Sequence, residues 1–538
     1  MMKKSILLST AICGVLFLTS CASTQTLPGS QSASEQSLSS AEISKAVNRA
    51  LEAFKTPGMS VSVVKDGKVV FEDGFGLRDM DSNAPADKDT LFRIASTSKA
   101  FTAAALAVLV DEGKLDWDQK VISVLPNFRM MDSWVTKEFT VRDLLVHRSG
   151  LGIGAGDLML WPEPSGFTRD EIIHNLRYLK STSSFRSRYA YDNLLYIVAG
   201  DVVTKASGIS YEEFVQTRIM DKLDMDCFGG AISARDLGNV AIPYGFIEDR
   251  IQAIPRNKVT GKITASHPAG GLACNADGMG AWMIAQLGGG VGANGKRIFS
   301  EKQRDEMWKG QTILSVSKSE RANDNTHFKT YALGWRKEDM HGYEVVSHTG
   351  TLSGFQAYVV LVPELDLGIT VLNNGSNYGA RTSVALSILK PYLGQQKTDW
   401  VGYYKDRQDK AASAPKTQET DYEAGGTGRV NRSLSSYAGS YKDPWFGIVD
   451  IKMDGGRLRF TARKSVNLSG TLEPFKDNTF IVRWDNRGFN ADAFAKFEAG
   501  VNGRIDALKM TRVDPAADWS FDFQDLGFVR VESGMTNH

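Results

Sequence analysis

The chain has 538 residues, and its 63 Lys and Arg against 62 Asp and Glu give a formal net charge of +1. This balance lacks the basic excess typical of nucleic-acid binding, so we expect no nucleic-acid partner. The seven histidines are scattered, and the sequence has no Cys-x-x-Cys, Gly-x-Ser-x-Gly, His-Glu-x-x-His or phosphate-binding glycine motif. These patterns indicate neither a metal site nor a cofactor, and they argue against an α/β-hydrolase, a zinc protease or a nucleotide enzyme.

The N-terminus has the pattern of a targeting signal. Two lysines precede an apolar run over residues 5–17, and small residues lead to Cys21. The run is too short for a comfortable membrane span, and the pattern resembles a bacterial lipoprotein signal that is cleaved before a lipidated Cys21. This implies a membrane anchor, on the periplasmic side of the outer membrane in a Gram-negative host because Ala22 is not acidic. An ordinary secretory signal is the alternative.

The first strand is predicted over residues 60–64, a β-branched run that Asp66 and Gly67 close as a hairpin turn. Ser62 and Lys65 in this segment have Ser-x-x-Lys spacing. A strand would place the two side chains on opposite faces, so this match predicts a structural serine and not a reactive one.

A second Ser-x-x-Lys, Ser96 to Lys99, precedes an Ala- and Leu-rich run over residues 100–109 that predicts a helix ending near Gly113. Residues three apart share a helix face, so the Lys99 amine can reach the Ser96 hydroxyl and take its proton. The helix N-terminus also favours negative charge on that hydroxyl. The same Ser-x-x-Lys spacing occurs without such a context at three further serines, Ser315, Ser387 and Ser413. The segment from Ser387 to Lys390 is predicted to be helical, with these two residues as a surface pair.

Two later motifs support a serine-based site. Tyr191-Asp192-Asn193 is the only Tyr-x-Asn of the chain, and His348-Thr349-Gly350 follows a strand-like run over residues 343–347. His147 lies in residues 144–151, which we predict to be helical, and we interpret it as a packing residue. Cys227 and Cys274 could pair in an oxidising compartment, although their separation in sequence does not show that they are close.

The order and spacing of these motifs resemble one enzyme family: class C β-lactamases, penicillin-binding DD-peptidases and related esterases. The resemblance covers roughly residues 43–393 and includes three further stretches, 91–95, 144–151 and 268–272. It implies an α/β sandwich in which the hairpin at Asp66 and a meander over residues 343–373 share one antiparallel sheet. Helices are expected on both faces, with a helical insert after Ser96.

The resemblance also implies catalytic roles. Ser96 is the nucleophile, Lys99 or Tyr191 is the base, and the backbone amides of Ser96 and Thr351 form the oxyanion hole. The choice between Lys99 and Tyr191 stays open. Asn193 is expected to hold Lys99 or a substrate carbonyl.

Substrate binding is predicted at His348, Thr349 and Gly350, where Gly350 would let the acyl group approach the strand. The family pattern has Lys-Thr-Gly at this place, and a histidine carries only part-time charge. This departure favours a neutral ester or amide over penicillin. The cleft is expected to include the loops 152–165 and 310–330.

The C-terminal region shows short alternating apolar runs with turns about every ten residues, which predicts antiparallel strands. The segments 443–447 and 521–526 resemble the small lipocalin-like barrel found behind such hydrolases. We interpret this barrel as a scaffold, with a ligand-binding mouth as the alternative. The predicted segments are the signal peptide 1–21, a flexible tether 22–40, the hydrolase domain 41–395, a linker 396–435 and the β domain 436–538.

Three functions are therefore considered. The first is an anchored serine hydrolase that cleaves a small-molecule or peptide substrate at an ester or amide, through an acyl-enzyme on Ser96. The second is a cell-wall DD-peptidase or β-lactamase, and the third is a non-catalytic penicillin-binding or scaffolding lipoprotein. An intact Ser96, Lys99 and Tyr191 argue against the third.

Overall fold

The computed structural model describes residues 38–234, 236–254, 258–413 and 421–531. The predicted signal peptide, its lipidated Cys21 and nearly all of the predicted tether lie outside the described residues. Within these ranges, none of the helices combines the length and the apolar character that a membrane crossing requires.

The N-terminal unit has 13 strands among the described residues: β1 (Gly58–Lys65), β2 (Lys68–Asp79), β3 (Ala84–Pro85), β4 (Phe92–Arg93), β5 (Tyr244–Ile247), β6 (Arg250–Ala253), β7 (Ala273–Cys274), β8 (Thr312–Ile313), β9 (Lys329–Tyr331), β10 (Arg336–Met340), β11 (Tyr343–Leu352), β12 (Phe355–Val362) and β13 (Leu367–Asn373). Nine of them form one sheet with the strand order β3-β2-β1-β13-β12-β11-β10-β9-β8, in which every neighbouring pair is antiparallel. The other four form two small separate pairs, β4 with β7 and β5 with β6.

The predicted hairpin and meander are confirmed and lie side by side. β1 turns at Asp66 into β2 and pairs on its other edge with β13, with Val61 opposite Val371. Ser62 is fully buried in β1, so the structure supports its interpretation as a structural serine.

Helices cover both faces of this sheet, as predicted. They are α1 (Ser40–Ala53), α2 (Ser98–Asp111), α3 (Val121–Val124), α4 (Ser133–Glu138), α5 (Arg169–Asn175), α6 (Leu194–Ser207), α7 (Tyr211–Val215), α8 (Ala276–Leu287), α9 (Glu301–Trp308), α10 (Lys318–Asp324), α11 (Tyr378–Tyr392) and α12 (Trp400–Ser413). Alternate residues of β12 enter two separate cores: Val359 belongs to the core that contains α2 and α8, whereas Val360 belongs to the core that contains α1 and α11. This period-two alternation is what a sheet buried on both faces requires.

Two details of this unit differ from the sequence predictions. Part of the predicted linker is helix α12, because Trp400 and Val401 provide an apolar start that packs on α1 and α11. Lys390 in α11 is not part of a surface pair with Ser387. It is buried at 1% exposure, and its ammonium lies 2.5 Å from the carboxylate of Asp324.

The C-terminal unit is a closed antiparallel barrel of eight strands, which confirms the predicted β-barrel domain. Its strands are β14 (Gly439–Asp443), β15 (Gly447–Asp454), β16 (Arg457–Ala462), β17 (Ser469–Lys476), β18 (Thr479–Trp484), β19 (Ala493–Ala499), β20 (Ile505–Arg512) and β21 (Gly527–Val531). Large buried aromatic side chains, such as Tyr437, Phe480 and Phe497, contact one another in its core.

The barrel packs against the helical insert of the first unit. The backbone amide of Gly166 donates a hydrogen bond to the carbonyl oxygen of Lys464 (2.7 Å), and the side-chain amide of Asn175 donates one to the carbonyl oxygen of Trp445 (2.8 Å). Apolar side chains of the two units join one continuous core. The barrel is therefore fixed beside the segment that precedes Tyr191.

Candidate active site

Ser96 lies in a single 3₁₀ turn, Ala95–Thr97, directly before α2. Ala95 has a positive φ of 47°, a sparsely populated conformation for a residue with a side chain. The turn packs on β11 at Gly350, where an added Cβ would lie 2.3 Å from the carbonyl oxygen of Ile94. Gly350 thus lets the nucleophile turn approach the strand, a different reason from the predicted approach of an acyl group.

Lys99 is completely buried under Ser96. Its Nζ lies 3.2 Å from Oγ of Ser96, 2.7 Å from Oδ1 of Asn193 and 2.7 Å from the carbonyl oxygen of Ala269. Burial lowers the pKa of the amine well below its ordinary value. Asp157 and Asp192 oppose this shift, whereas the charge of Arg336 adds to it. A neutral amine has two N–H donors, which match the two carbonyl-type oxygens, so its lone pair is left for the Ser96 hydroxyl.

Tyr191 completes the cluster: it lines the same cavity as Ser96, and its ring centroid lies 4.8 Å from Nζ of Lys99. Burial raises the pKa of Tyr191 above that of free tyrosine, although the charge of Arg336 and the Ser96 side chain oppose this. The side chain is therefore a phenol at neutral pH. It can donate a proton, whereas Lys99 is better suited to accept one.

His147 packs against Tyr191, with ring centroids 4.1 Å apart. It sits in a turn with a positive φ of 54° and not in the predicted helix. Its Nδ1 accepts a hydrogen bond from the Asp192 amide (3.1 Å), and burial lowers its pKa well below the ordinary value. These contacts agree with the predicted packing role, and they hold the Tyr191 ring from behind.

Asn193 links Lys99 to a buried carboxyl group. Its Oδ1 accepts from Lys99, and its Nδ2 donates to Oδ2 of Asp157 over 2.8 Å. The same Asp157 oxygen accepts a hydrogen bond from Ser520 of the barrel (2.9 Å). Burial raises the pKa of Asp157 well above its ordinary value. Of the two predicted partners of Asn193, the structure shows Lys99.

His348 is 1% exposed, and the structure places it behind the cavity surface. Its Nδ1 donates to the carbonyl of Thr349 (2.7 Å), and its Nε2 accepts from the hydroxyl of Tyr331 (2.9 Å). Burial lowers its pKa well below the ordinary value, and Arg336 contributes. His348 is thus a neutral residue that orients Thr349 and Tyr331 from behind the cavity surface, and its predicted part in substrate binding stays a prediction.

A positively charged side chain, Arg336, nevertheless lies beside β11. Arg336 at the start of β10 pairs in register with Ser347, and its Nη1 donates to Oγ1 of Thr349 (3.3 Å). Burial opposes its charge, but Tyr189 and the other neighbouring tyrosines raise the pKa of the guanidinium. Sequence reasoning missed Arg336 because the run Arg-Lys-Glu-Asp resembles a solvated strand. The β10–β11 pairing was the signal that could have found it.

The end of β11 is supported from α11 by Arg381, which sequence reasoning also missed. Its Nη1 donates to the carbonyl of Gly350, to Oγ1 of Thr351 (3.0 Å) and to the carbonyl of Ala357 (3.2 Å). Burial lowers the pKa of this guanidinium to about 10. Arg381 fixes the strand end that presents Thr351 to the cavity.

These residues surround a cavity of about 670 Å³. Its polar lining includes Ser96, Tyr191, Asn193, Arg336, Thr349 and Thr351. The predicted loop 152–165 contributes Ile153, Trp161 and Pro162, but the predicted loop 310–330 contributes no lining residue. The barrel supplies that wall instead, with residues 516–521.

A serine at a helix N-terminus, activated by a buried lysine and paired with a tyrosine, together with this sheet, defines the class of β-lactamase-like serine hydrolases. A family model described as Beta-lactamase matches residues 43–390, and the chain belongs to this family. A second model, described as a domain of unknown function (DUF3471), matches residues 428–530 and so covers the barrel.

Known proteins show similarity over different lengths. Unguisins hydrolase ungD' of Aspergillus campestris is 27% identical over 493 residues, 86% of this chain and 87% of that protein. Protein flp of Staphylococcus aureus strain N315 is 25% identical over 62% of each chain. The structure of the octameric penicillin-binding protein homologue from Pyrococcus abyssi has a TM-score of 0.59 and 20% identity, covers 92% of this chain and 100% of that chain, and shows the same fold.

Proposed function

We propose that this protein is a serine hydrolase that cleaves an ester or amide of a small molecule or peptide through an acyl-enzyme on Ser96. The observation that carries this proposal is the position of the Lys99 amine, 3.2 Å from Oγ of Ser96 with both its N–H groups engaged elsewhere. A neutral amine in this position is a general base in direct reach of the nucleophile.

The first half-reaction transfers the acyl group to the enzyme. Oγ of Ser96 attacks the substrate carbonyl carbon while its proton passes to Lys99. The amides of Ser96 and Thr351 are the proposed donors to the oxyanion, and both residues line the cavity. The Tyr191 phenol gives its proton to the leaving alcohol or amine and regains one from Lys99. Water then releases the acyl group by the same route in reverse.

The substrate class is proposed from the site and from the relatives. The name of the Aspergillus campestris relative states that it hydrolyses unguisins, and that relative matches through the barrel as well as the catalytic unit. This supports a hydrolytic reaction for the present chain, and the proposed ester or amide class rests on the Ser96 site itself.

A cell-wall DD-peptidase or β-lactamase is the second candidate, and one observation favours it. Arg336 provides a permanent cation that lines the cavity, so the loss of the family lysine at His348 does not leave the site uncharged. A guanidinium of this kind suits a substrate carboxylate. The two candidates therefore differ in whether the substrate carries a free carboxylate near the scissile bond.

Hydrolysis of a short-chain aryl ester, a chromogenic cephalosporin and a D-alanyl-D-alanine peptide by the protein lacking residues 1–21 tests these proposals. We expect ester turnover that Ser96→Ala abolishes and little cephalosporin cleavage. Ser315→Ala is the matched control, because Ser315 is an exposed serine with the same Ser-x-x-Lys spacing. Equal turnover in Ser96→Ala and in the unsubstituted protein would falsify the assignment.

We also propose that Cys21 is lipidated and anchors the protein to a membrane, on the periplasmic side in a Gram-negative host. The supporting observation is the sequence pattern before Cys21 alone. Expression of the full chain and of Cys21→Ser in a bacterial host, followed by membrane fractionation and mass analysis of the N-terminus, tests it. Recovery of the unsubstituted chain as a soluble, unlipidated product would exclude the anchor.

A further inference from the structure

The barrel reaches into the active site through one loop. Residues 513–526, the β20–β21 loop, connect the last two barrel strands, and residues 516–521 of this loop line the cavity that contains Ser96. A scaffold that only supported the catalytic unit from outside would not contribute to the cavity surface. The loop therefore has to be considered as part of the site.

The loop is anchored at both units. Phe523 stacks on Trp484 in the barrel core, with centroids 5.5 Å apart. On the other side, the Asp522 carboxyl accepts hydrogen bonds from the amides of Gly156 (2.6 Å) and Leu158 (3.2 Å). These two amides belong to the turn that carries Asp157. These anchors directly follow Trp519 and Ser520 in the chain and hold that part of the loop beside the catalytic residues.

Trp519 packs directly on the ring of Tyr191 and on the backbone at Gly154. Its ring centroid lies 5.5 Å from that of Tyr191 in an edge-on arrangement. It also covers Gly154, where a Cβ would lie 2.6 Å from the indole ring. With Phe521, Ile153, Trp161 and Leu352, the indole gives the cavity an apolar wall.

Ser520 makes a different connection. Its hydroxyl donates to Oδ2 of Asp157, which also accepts from Asn193, and Asn193 in turn accepts from Lys99. The other Asp157 oxygen is buried and has no hydrogen-bond partner among the described residues. Among the described residues, only the side chains of Asn193 and Ser520 hydrogen-bond this buried carboxyl. Ser520 therefore helps to fix Asp157, and Asp157 in turn fixes the Asn193 amide that holds the base.

We propose that the β20–β21 loop selects the substrate and positions the base: Trp519 forms the wall of a subsite for a bulky apolar acyl group, and Ser520 orients Lys99 through Asp157 and Asn193. This inference rests on the proposed serine hydrolase function and assigns the barrel a part in it. Ser520 is a positioning residue, since it touches neither Ser96 nor Lys99.

Trp519 is tested with two aryl esters that share a leaving group, one with an acetyl and one with a phenylacetyl group. We expect Trp519→Ala to raise KM for the phenylacetyl ester about tenfold, because an apolar contact of this size is lost, and to change the acetyl ester by less than twofold. Trp519→Phe should keep most of the preference. Trp134→Ala removes another indole, 61% exposed and outside the cavity, and should leave both esters unchanged.

Ser520 is tested with the acetyl ester alone. Ser520→Ala should lower kcat about tenfold at unchanged KM and move the acid limb of the pH profile, because the Lys99 amine is less well oriented. Ser520→Thr keeps a hydroxyl and should restore kcat, and Ser315→Ala serves as the exposed serine control.

The outcomes separate the two proposals. Equal effects of Trp519→Ala on both esters, or an unchanged kcat and pH profile in Ser520→Ala, overturn the role of the loop. If in the same series Ser96→Ala is inactive, the proposed function stands without the loop. If Ser96→Ala still turns over the esters, or if the unsubstituted protein does not turn them over, the proposed function itself is overturned.

Discussion

Arg336 donates a hydrogen bond from Nη1 to Oγ1 of Thr349 over 3.3 Å, so a guanidinium lies beside the strand whose family motif has lost its lysine. His348, which replaces that lysine in sequence, is buried and neutral. The positive charge of the site has thus moved from β11 to the neighbouring strand β10. A cation in this position acts on any negative group that enters the cavity.

Arg336→Gln is expected to separate the two substrate classes. It should lower kcat/KM about tenfold to a hundredfold for a peptide with a free C-terminal carboxylate, because a charge-assisted contact is lost. The amidated form of the same peptide should change little. Steady-state kinetics on both peptides measure the difference. An equal loss on the two peptides would show that Arg336 acts on Tyr189 and Tyr191 and not on a carboxylate.

Lys99→Arg tests the assignment of the base. Arginine stays charged at any accessible pH, so kcat should fall by about 10³-fold if Lys99 acts as the neutral amine. In the unsubstituted protein the lowered pKa of Lys99 means that the amine is deprotonated above that pKa, and activity should fall as the pH drops through it. Activity is followed from pH 4 to pH 9. A profile without an acid limb would contradict the role.

Gly350→Ala is expected to reduce activity about a hundredfold, because the added Cβ would meet the carbonyl oxygen of Ile94 at 2.3 Å and displace the Ser96 turn from β11. Gly527→Ala in β21 is the control, since its Cβ would meet no atom within 4 Å and its φ is not positive. Ester kinetics and thermal unfolding are measured for both variants. Full activity in Gly350→Ala would mean that the turn tolerates displacement.

The pair Cys227 and Cys274, left open by the sequence, forms a disulfide with the two Cα atoms 4.2 Å apart. It closes a segment with a sequence separation of 47, so its removal should lower the free energy of unfolding by about 2–4 kcal/mol. The double variant Cys227→Ala/Cys274→Ala should unfold at a lower temperature than the oxidised protein. Added reductant should shift only the unsubstituted protein. A melting temperature that is independent of reductant would exclude a stabilising disulfide.

Local patterns in the sequence account for much of the architecture. The β-branched run around Ser62 became a fully buried strand, and the Ala- and Leu-rich run after Ser96 became a helix that is buried all round. The alternating segments after Tyr437 became strands that bury one face. The predicted helix around His147 was wrong. There the chain turns to bring a buried imidazole against Tyr191, a tertiary contact that local propensity does not contain.

The sequence by itself determined the reactive pair, since Ser96 and Lys99 lie one helical turn apart and their proximity follows from local geometry alone. It also determined the family, because the order of Ser96, Tyr191 and Thr349 along the chain is unusual. Only the tertiary structure decided what surrounds them. Arg336 reaches the cavity through strand pairing, and Trp519 through the docking of the barrel. The first depends on the register of the β10–β11 hairpin, and the second depends on contact between segments that are distant in sequence. Neither is contained in the pattern of apolar residues along a single element.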